Sequence, residues 1–180
     1  MIYEYISLVV GMLKICVYKL FNLKRISFKT IPKMNSSFKI AIKKGAYLSI
    51  GRRMRTRNNV SFRIYNRGKV KIGNNCFFND SCSINCQKNI DIGNNCICGQ
   101  NVMFFDHDHD YKNDINNFIR DDIKVGDNVW IGANCIILKG VTIGDNVVIA
   151  AGTIVKKSIN KNSLVYENKE LRTKEIKRRL

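Results

Sequence analysis

The sequence predicts an all-β fold, a parallel β-helix in which the chain winds through stacked coils. The first observation is a six-residue period. From Val125 the aliphatic positions run Val125-Gly126, Ile131-Gly132, Ile137, Ile143-Gly144, Ile149-Ala150 and Val155. Earlier, the same period passes through Ile72-Gly73, Phe78 and Ile84, is reset by two residues, and resumes at Ile92-Gly93, Cys98-Gly99 and Phe104. The second observation is a small apolar residue four places after eight of these, at Cys76, Cys82, Cys96, Val102, Val129, Cys135, Val141 and Val147. The third is a set of GNN and GDN triplets at 73–75, 93–95, 126–128 and 144–146, residues that tolerate tight corners. A fixed short period of this kind is read as a repeat architecture before any single strand is considered. Its physical sense is a coil of three short strands and eighteen residues, each aliphatic side chain stacking on the one a turn earlier. A lone hexapeptide cannot bury its apolar side, whereas stacked coils share one narrow core and satisfy each other's backbone.

The elements follow in order. Residues 1–44 are expected to form an amphipathic helix and a basic lead-in. Ile2, Ile6, Val9, Val10, Leu13, Val17 and Leu20 recur at three- and four-residue spacing. The longest uncharged run, Tyr5 to Leu13, is far short of the roughly 20 residues of a membrane span. Two roles fit this helix: an interfacial helix on a membrane, aided by Lys14, Lys19, Lys24, Arg25 and Lys29, or a plug that closes the open end of the coils. Residues 45–160 are expected to hold the β-helix. Between Phe104 and Val125 the period breaks for a polar loop excursion, near 105–123, and then resumes in register. Residues 161–180 read as a short basic tail ending in "KEIKRRL".

The formal charge of +17 is unevenly spread, at +16 over residues 1–71, −5 over 72–155 and +6 over 156–180. The acidic middle holds the loop, and the basic ends suit a phosphate-bearing ligand, an anionic glycan or a headgroup surface. "GRRMRTRNN" at 51–59 is the densest such stretch. No nucleic-acid motif accompanies the charge, so no nucleic-acid partner is expected. The seven cysteines are odd in number and no secretory signal precedes them, which points to reduced thiols in the cytoplasm. Cys76, Cys82, Cys96 and Cys135 occupy positions where valine stands in other turns, and are read as core filler.

Within the loop, "DHDHDY" holds both histidines of the chain, His107 and His109. This stretch, with "VGDNVWIGANCIILKGVTIGDNVVIAAGTIVKK" after it, resembles the hexapeptide-repeat acyltransferases, in particular the O-acetyltransferases of capsule, lipopolysaccharide and other sugars. The resemblance implies a left-handed coil; periodicity alone does not give the hand, and parallel crossovers are usually right-handed. It also implies a homotrimer that uses acetyl-CoA; with the basic amphipathic helix, the expected location is the cytoplasm at or near the inner face of the membrane. His109 falls at the place of the family's general base, a task suited to imidazole. A carbonyl or a carboxylate would set its tautomer, with Asp106, Asp108 and Asp110 at hand. Asn79 matches an asparagine by the reacting centre, and Trp130 a tryptophan lining the acetyl and acceptor pocket, to which His107, Asp106 and Asp108 are also assigned. Ala133, Ala151, Lys156 and Lys157 would line the CoA groove. The chain lacks the family's proline at Asn160 and its "GxPA" turn near 168, leaving Arg172 and Lys174 for the adenine end. No metal is expected, because the related γ-class carbonic anhydrases bind zinc through three histidines and this chain has two. N-acetylation of an amino sugar, or a non-catalytic β-helix scaffold, are the other readings that remain.

Overall fold

The computed structural model describes residues 2–167; the part of the expected tail from 168 on, with Arg172 and Lys174, lies outside the described residues, whereas 161–167 continue the coils past residue 160 through the strand Leu164–Val165. After an N-terminal helix, Ile2–Phe21, the chain forms a left-handed parallel β-helix with three six-stranded walls. The first wall stacks Ile26–Phe28, Tyr47–Ile50, Lys69–Ile72, Asn89–Ile92, Ile123–Val125 and Thr142–Ile143. The second stacks Arg55–Thr56, Phe77–Phe78, Ile97–Cys98, Trp130–Ile131, Val148–Ile149 and Leu164–Val165. The third stacks Lys39–Ile42, Ser61–Ile64, Ser83–Cys86, Met103–Phe105, Ile136–Leu138 and Ile154–Val155.

The six-residue period becomes three inward ladders. Ile50, Ile72, Ile92, Val125 and Ile143 lie in register on the first wall. Thr56, Phe78, Cys98, Ile131, Ile149 and Val165 do so on the second. Phe62, Ile84, Phe104, Ile137 and Val155 line up on the third. Nearly all of these are fully buried in one continuous core. The last asparagine of each triplet, Asn75, Asn95, Asn128 and Asn146, adopts a left-handed backbone with φ between 56 and 59°. Asparagine accepts that conformation more readily than other non-glycine residues. These side chains also form a column along the corner, each Nδ2 donating to the next Oδ1 at 2.9–3.1 Å, and the column ends on Asn162.

The coils begin ahead of residue 45. Ile26–Phe28 pairs with Leu48–Ile50, and Lys39–Ile42 with Ser61–Ile64. The lead-in is therefore the first turn of the solenoid. Its period is hidden because the early turns are longer: Tyr47 lies opposite Lys69, twenty-two residues on, and Lys69 opposite Asn89, twenty on. Only from the turn that pairs Lys124 with Thr142 does the spacing reach eighteen. The extra residues are spent in four-residue strands and in corners such as Asn66-Arg67, both with positive φ.

The cysteines are buried apart from Cys16 and none is disulfide-bonded. Each of the four filler thiols points its Sγ at a carbonyl of the following coil: Cys76 to Gly93 at 3.1 Å, Cys82 to Gly99 at 3.0 Å, Cys96 to Gly126 at 3.2 Å and Cys135 to Ala150 at 3.1 Å. Burial pushes the Cys82 thiol up to about 11 and raises Cys98 and Cys135 as well. The bond from Cys96 lowers the Cys76 thiol instead, and it is burial, shared by all four, that shields these space-filling groups from reagents. A thiol reagent added to the native protein should therefore modify Cys16 alone, with the other six reacting only on unfolding. Rapid labelling of a second thiol under native conditions would contradict the packing described.

Candidate functional site

The loop excursion is a β-hairpin. His107–Asp110 and Asp114–Arg120 pair antiparallel, with His109 opposite Phe118 and a register shift between His109 and Asp110. It leaves the solenoid at the corner between the third and first walls. The insertion does not disturb the stack beneath it, since Asp91 and Lys124 still pair across it.

Buried polar groups hold the hairpin's base. Asp106 is fully buried and takes hydrogen bonds from the backbone N–H of Gln87 at 2.8 Å and of Lys88 at 2.7 Å. Its Oδ1 also meets Nδ1 of His107 at 2.8 Å. Burial alone would raise the Asp106 carboxyl, but the bonds from His107, Gln87 and Lys88 hold it below the usual carboxylate range. On the returning strand, Arg120 Nε donates to Gln87 Oε1 at 2.9 Å, and Lys88 Nζ bridges Asp121 and Asp122 at 3.1 and 3.2 Å. Lys139 Nζ meets Asp108 Oδ2 at 2.6 Å. Asp106 therefore does not offer its carboxylate to an acceptor pocket, having no exposed surface, whereas Asp108 is half exposed and pairs with Lys139 through Oδ2.

The two histidines differ in their partners. His107 is largely covered, turned to the Asp106 carboxylate and edge-on to Phe118. His109 is exposed, with its ring centroid 4.4 Å from that of Phe118 and its Nδ1 2.6 Å from the Ile115 carbonyl oxygen. A carbonyl can only accept, so Nδ1 carries a proton, and in the neutral ring the lone pair lies on Nε2. The carbonyl of Ile115, and none of the three aspartates, sets the tautomer. This pairing depends on the hairpin's turn and bulge, which is why no sequence spacing announced it. The turn-like "YKND" between two short runs was the available signal for a hairpin.

A second group of site residues gathers elsewhere. Asn79, Trp130, Ala133 and Ala151 line a groove of about 540 Å³ on the second wall and its corner with the third. The groove is a usual size for a small-molecule or cofactor site. Its floor is an outward ladder of Phe77, Ile97, Trp130, Val148 and Leu164, in register strand to strand. Trp130 is 56 % exposed. Asn79 Oδ1 accepts the N–H of Asp80 at 2.9 Å, which turns its Nδ2 outward as a donor. Lys156 and Lys157 line a different depression, past the strand Ile154–Val155 and shared with Glu167. No hairpin residue lines the groove. Within one chain the structure thus separates His109, at one corner, from Asn79 and Trp130 at another. Among the described residues no group of three or more histidine, cysteine, aspartate or glutamate side chains is gathered as a metal site would need.

Residues 122–157 match the family model described as bacterial transferase hexapeptide, six repeats. Among solved structures, AntD, an N-acyltransferase from Bacillus cereus in complex with dTDP and 3-hydroxybutyryl-CoA, has a TM-score of 0.69 at 19 % identity, over 82 % of this chain and 81 % of that one. A maltose O-acetyltransferase from Clostridium difficile is 31 % identical over 76 % of this chain and 64 % of its own, with a TM-score of 0.54. A hexapeptide-repeat acetyltransferase from Vibrio cholerae, complexed with acetyl-CoA, is 18 % identical over 90 % of this chain and 80 % of that one, with a TM-score of 0.55.

The hairpin's dependence on Asp106 is open to direct measurement. In Asp106→Asn one of the three donors faces an NH₂ group, and stability should fall by about 1–3 kcal/mol. Amide exchange should quicken across 107–120 while the coils stay protected. The folded carboxyl lies below its unfolded value, so its contribution is present above pH ~4 and is lost as pH falls through the folded value. The wild-type hairpin should loosen on acidification in that range, and Asp106→Asn should not show this dependence.

Proposed function

We propose that this chain, which matches the bacterial transferase hexapeptide model over residues 122–157, is an acetyl-CoA-dependent O-acetyltransferase acting on a sugar hydroxyl of a surface polysaccharide or its precursor. The observation that carries this reading is the exposed His109, whose Nδ1 is committed to the Ile115 carbonyl, so that in the neutral ring Nε2 is the nitrogen that accepts a proton. In the reaction Nε2 takes the proton of the acceptor hydroxyl as its oxygen bonds to the thioester carbonyl carbon. The oxyanion that develops needs a fixed donor, and the Nδ2 of Asn79 is free for that task. The intermediate then collapses, the C–S bond breaks, and the CoA thiolate leaves with the proton returned by His109.

This chemistry requires His109 and Asn79 in one site, and a second copy supplies the means. An exposed apolar ladder on the second wall is costly to leave in water. The hairpin likewise carries Tyr111, Ile115 and Ile119 at 76, 58 and 47 % exposure. In a homotrimer the hairpin of one subunit covers the groove of the next, bringing His109 of one copy to Asn79 and Trp130 of its neighbour. CoA then runs past Ala133 and Ala151, with Lys156 and Lys157 towards phosphate. Acetyl-CoA as donor and the reduced, buried thiols suit the cytoplasm.

Amine acetylation is the second reading, favoured by the likeness in fold to AntD across four-fifths of both chains. The 31 % identity to an O-acetyltransferase favours the hydroxyl.

Radiolabelled acetyl-CoA offered to a panel of surface glycans and precursors should yield label that mild alkali releases. Alkali-stable label would move the function to amines, and neither label nor CoA binding would leave a scaffold. His109→Ala should lower kcat by about 10²–10⁴-fold, and His107→Ala much less. Refolding a mixture of inactive His109→Ala and Asn79→Ala chains should restore activity, because mixed trimers regain intact sites. Failure to restore any would argue for sites complete within one chain.

A further inference from the structure

The amphipathic helix faces the opposite way from a core helix. Its inward side is made by Ser7, Leu8, Gly11, Lys14, Ile15 and Tyr18, while its apolar stripe points away from the protein. Gly11 lies so close to the first coil that a Cβ there would collide with the Met34 carbonyl oxygen. Ile15 is completely buried in the core. Ser7 Oγ bonds to Ser36 Oγ at 2.7 Å, and Lys14 Nζ donates to the carbonyls of Ser36 at 3.0 Å and Phe38 at 2.7 Å. Lys19 caps the Phe28 ring. The helix's own lysines are thus spent on the protein. On the far side Ile2, Ile6, Val9, Val10, Leu13, Val17 and Leu20 form an unbroken apolar stripe, 42–74 % exposed.

We infer that this face is a docking surface for an anionic lipid bilayer, on which the helix lies in the plane of the interface. No helix among the described residues is long and apolar enough to cross a membrane. A helix with a wide apolar stripe and basic surroundings lies along the headgroup boundary instead. Charge chooses the occupant. Residues 1–71 carry 17 Lys and Arg against one Glu, so a second copy packed helix to helix would press two strongly positive ends together. An anionic bilayer complements the same charge. A cavity of about 420 Å³ opens beside the helix, walled by Glu4 and Leu8 and lined by Lys33, Arg55 and Arg57, and takes a headgroup phosphate. Arg55 has its guanidinium over the Phe77 ring, and among the described residues Arg57 pairs with Glu4 alone, at 3.8 Å. The inference does not depend on which group the enzyme acylates.

The test is flotation of the whole protein with vesicles of phosphatidylcholine alone or of phosphatidylcholine mixed with phosphatidylglycerol. Wild type should float with the mixed vesicles, and less so as salt is raised. Leu13→Glu/Val17→Glu, on exposed positions, should bind at least tenfold more weakly while melting and transferring acetyl to a water-soluble acceptor as wild type does. Lys33→Glu/Arg57→Glu should weaken binding to the mixed vesicles only. Equal binding of wild type and Leu13→Glu/Val17→Glu, no binding to either vesicle, or indifference to lipid charge would overturn the inference. So would self-association of wild type that Leu13→Glu/Val17→Glu abolishes in the absence of vesicles, since a second copy would then cover the stripe.

Discussion

Each coil of this protein satisfies its backbone through the coils above and below it. The N–H of Gly73 bonds to Ile92, that of Gly93 to Val125, that of Gly126 to Ile143 and that of Gly144 to Ile159, each to a carbonyl one turn on. A buried amide without such a partner would be costly, so every coil must keep register with its neighbours. Like side chains then fall on like. The narrow core of isoleucine, valine, phenylalanine and cysteine is a consequence of that register, as is the asparagine column at the corner.

The same constraint explains where a functional insertion is tolerated. A hairpin placed at a corner adds residues between two walls without shifting the strands that flank it, so the stack passes beneath it intact. Its geometry is then set by what the coils offer. The buried Asp106 collects the amides of Gln87 and Lys88, Lys88 ties down Asp121 and Asp122, and Lys139 reaches Asp108. A rigid scaffold and a polar clamp hold the hairpin that carries His109, whose ring is fixed by the Ile115 carbonyl and Phe118. The acidic character of the loop, which invites a metal or catalytic reading, is mostly structural. The outward faces of the second wall and of the helix are where apolar side chains exceed what the fold buries.

Much of this was legible in one sequence. Ile72, Phe78, Ile84, Ile92, Phe104, Val125 and Ile137 announced themselves by spacing, and the structure buries all of them. The triplet asparagines were legible as corner residues because few others accept their backbone conformation. The cysteines were legible as filler from their place in the period. Less legible were the first coils, whose longer turns break the six-residue rhythm, and the true partners of the loop carboxylates. Asp106, Asp108 and Asp110 are equivalent on paper; burial, an ion pair with Lys139 and a turn around Asn113 make them three different groups.

The sequence by itself determined the solenoid, its inward ladders, its corners and the place of the excursion, because those follow from local period and from residues suited to one backbone conformation. Only the tertiary structure decided the direction in which each surface faces. A period of three and four states that a helix has an apolar side; the docking of Gly11 and Ile15 states that this side looks outward. A histidine two residues from another is a candidate base by chemistry alone; the curl of the hairpin gave one the Ile115 carbonyl and the other a buried carboxylate. The difference is physical: local pattern reports which residues can be buried or turned, whereas partners far apart in the chain are chosen only when the coils have closed.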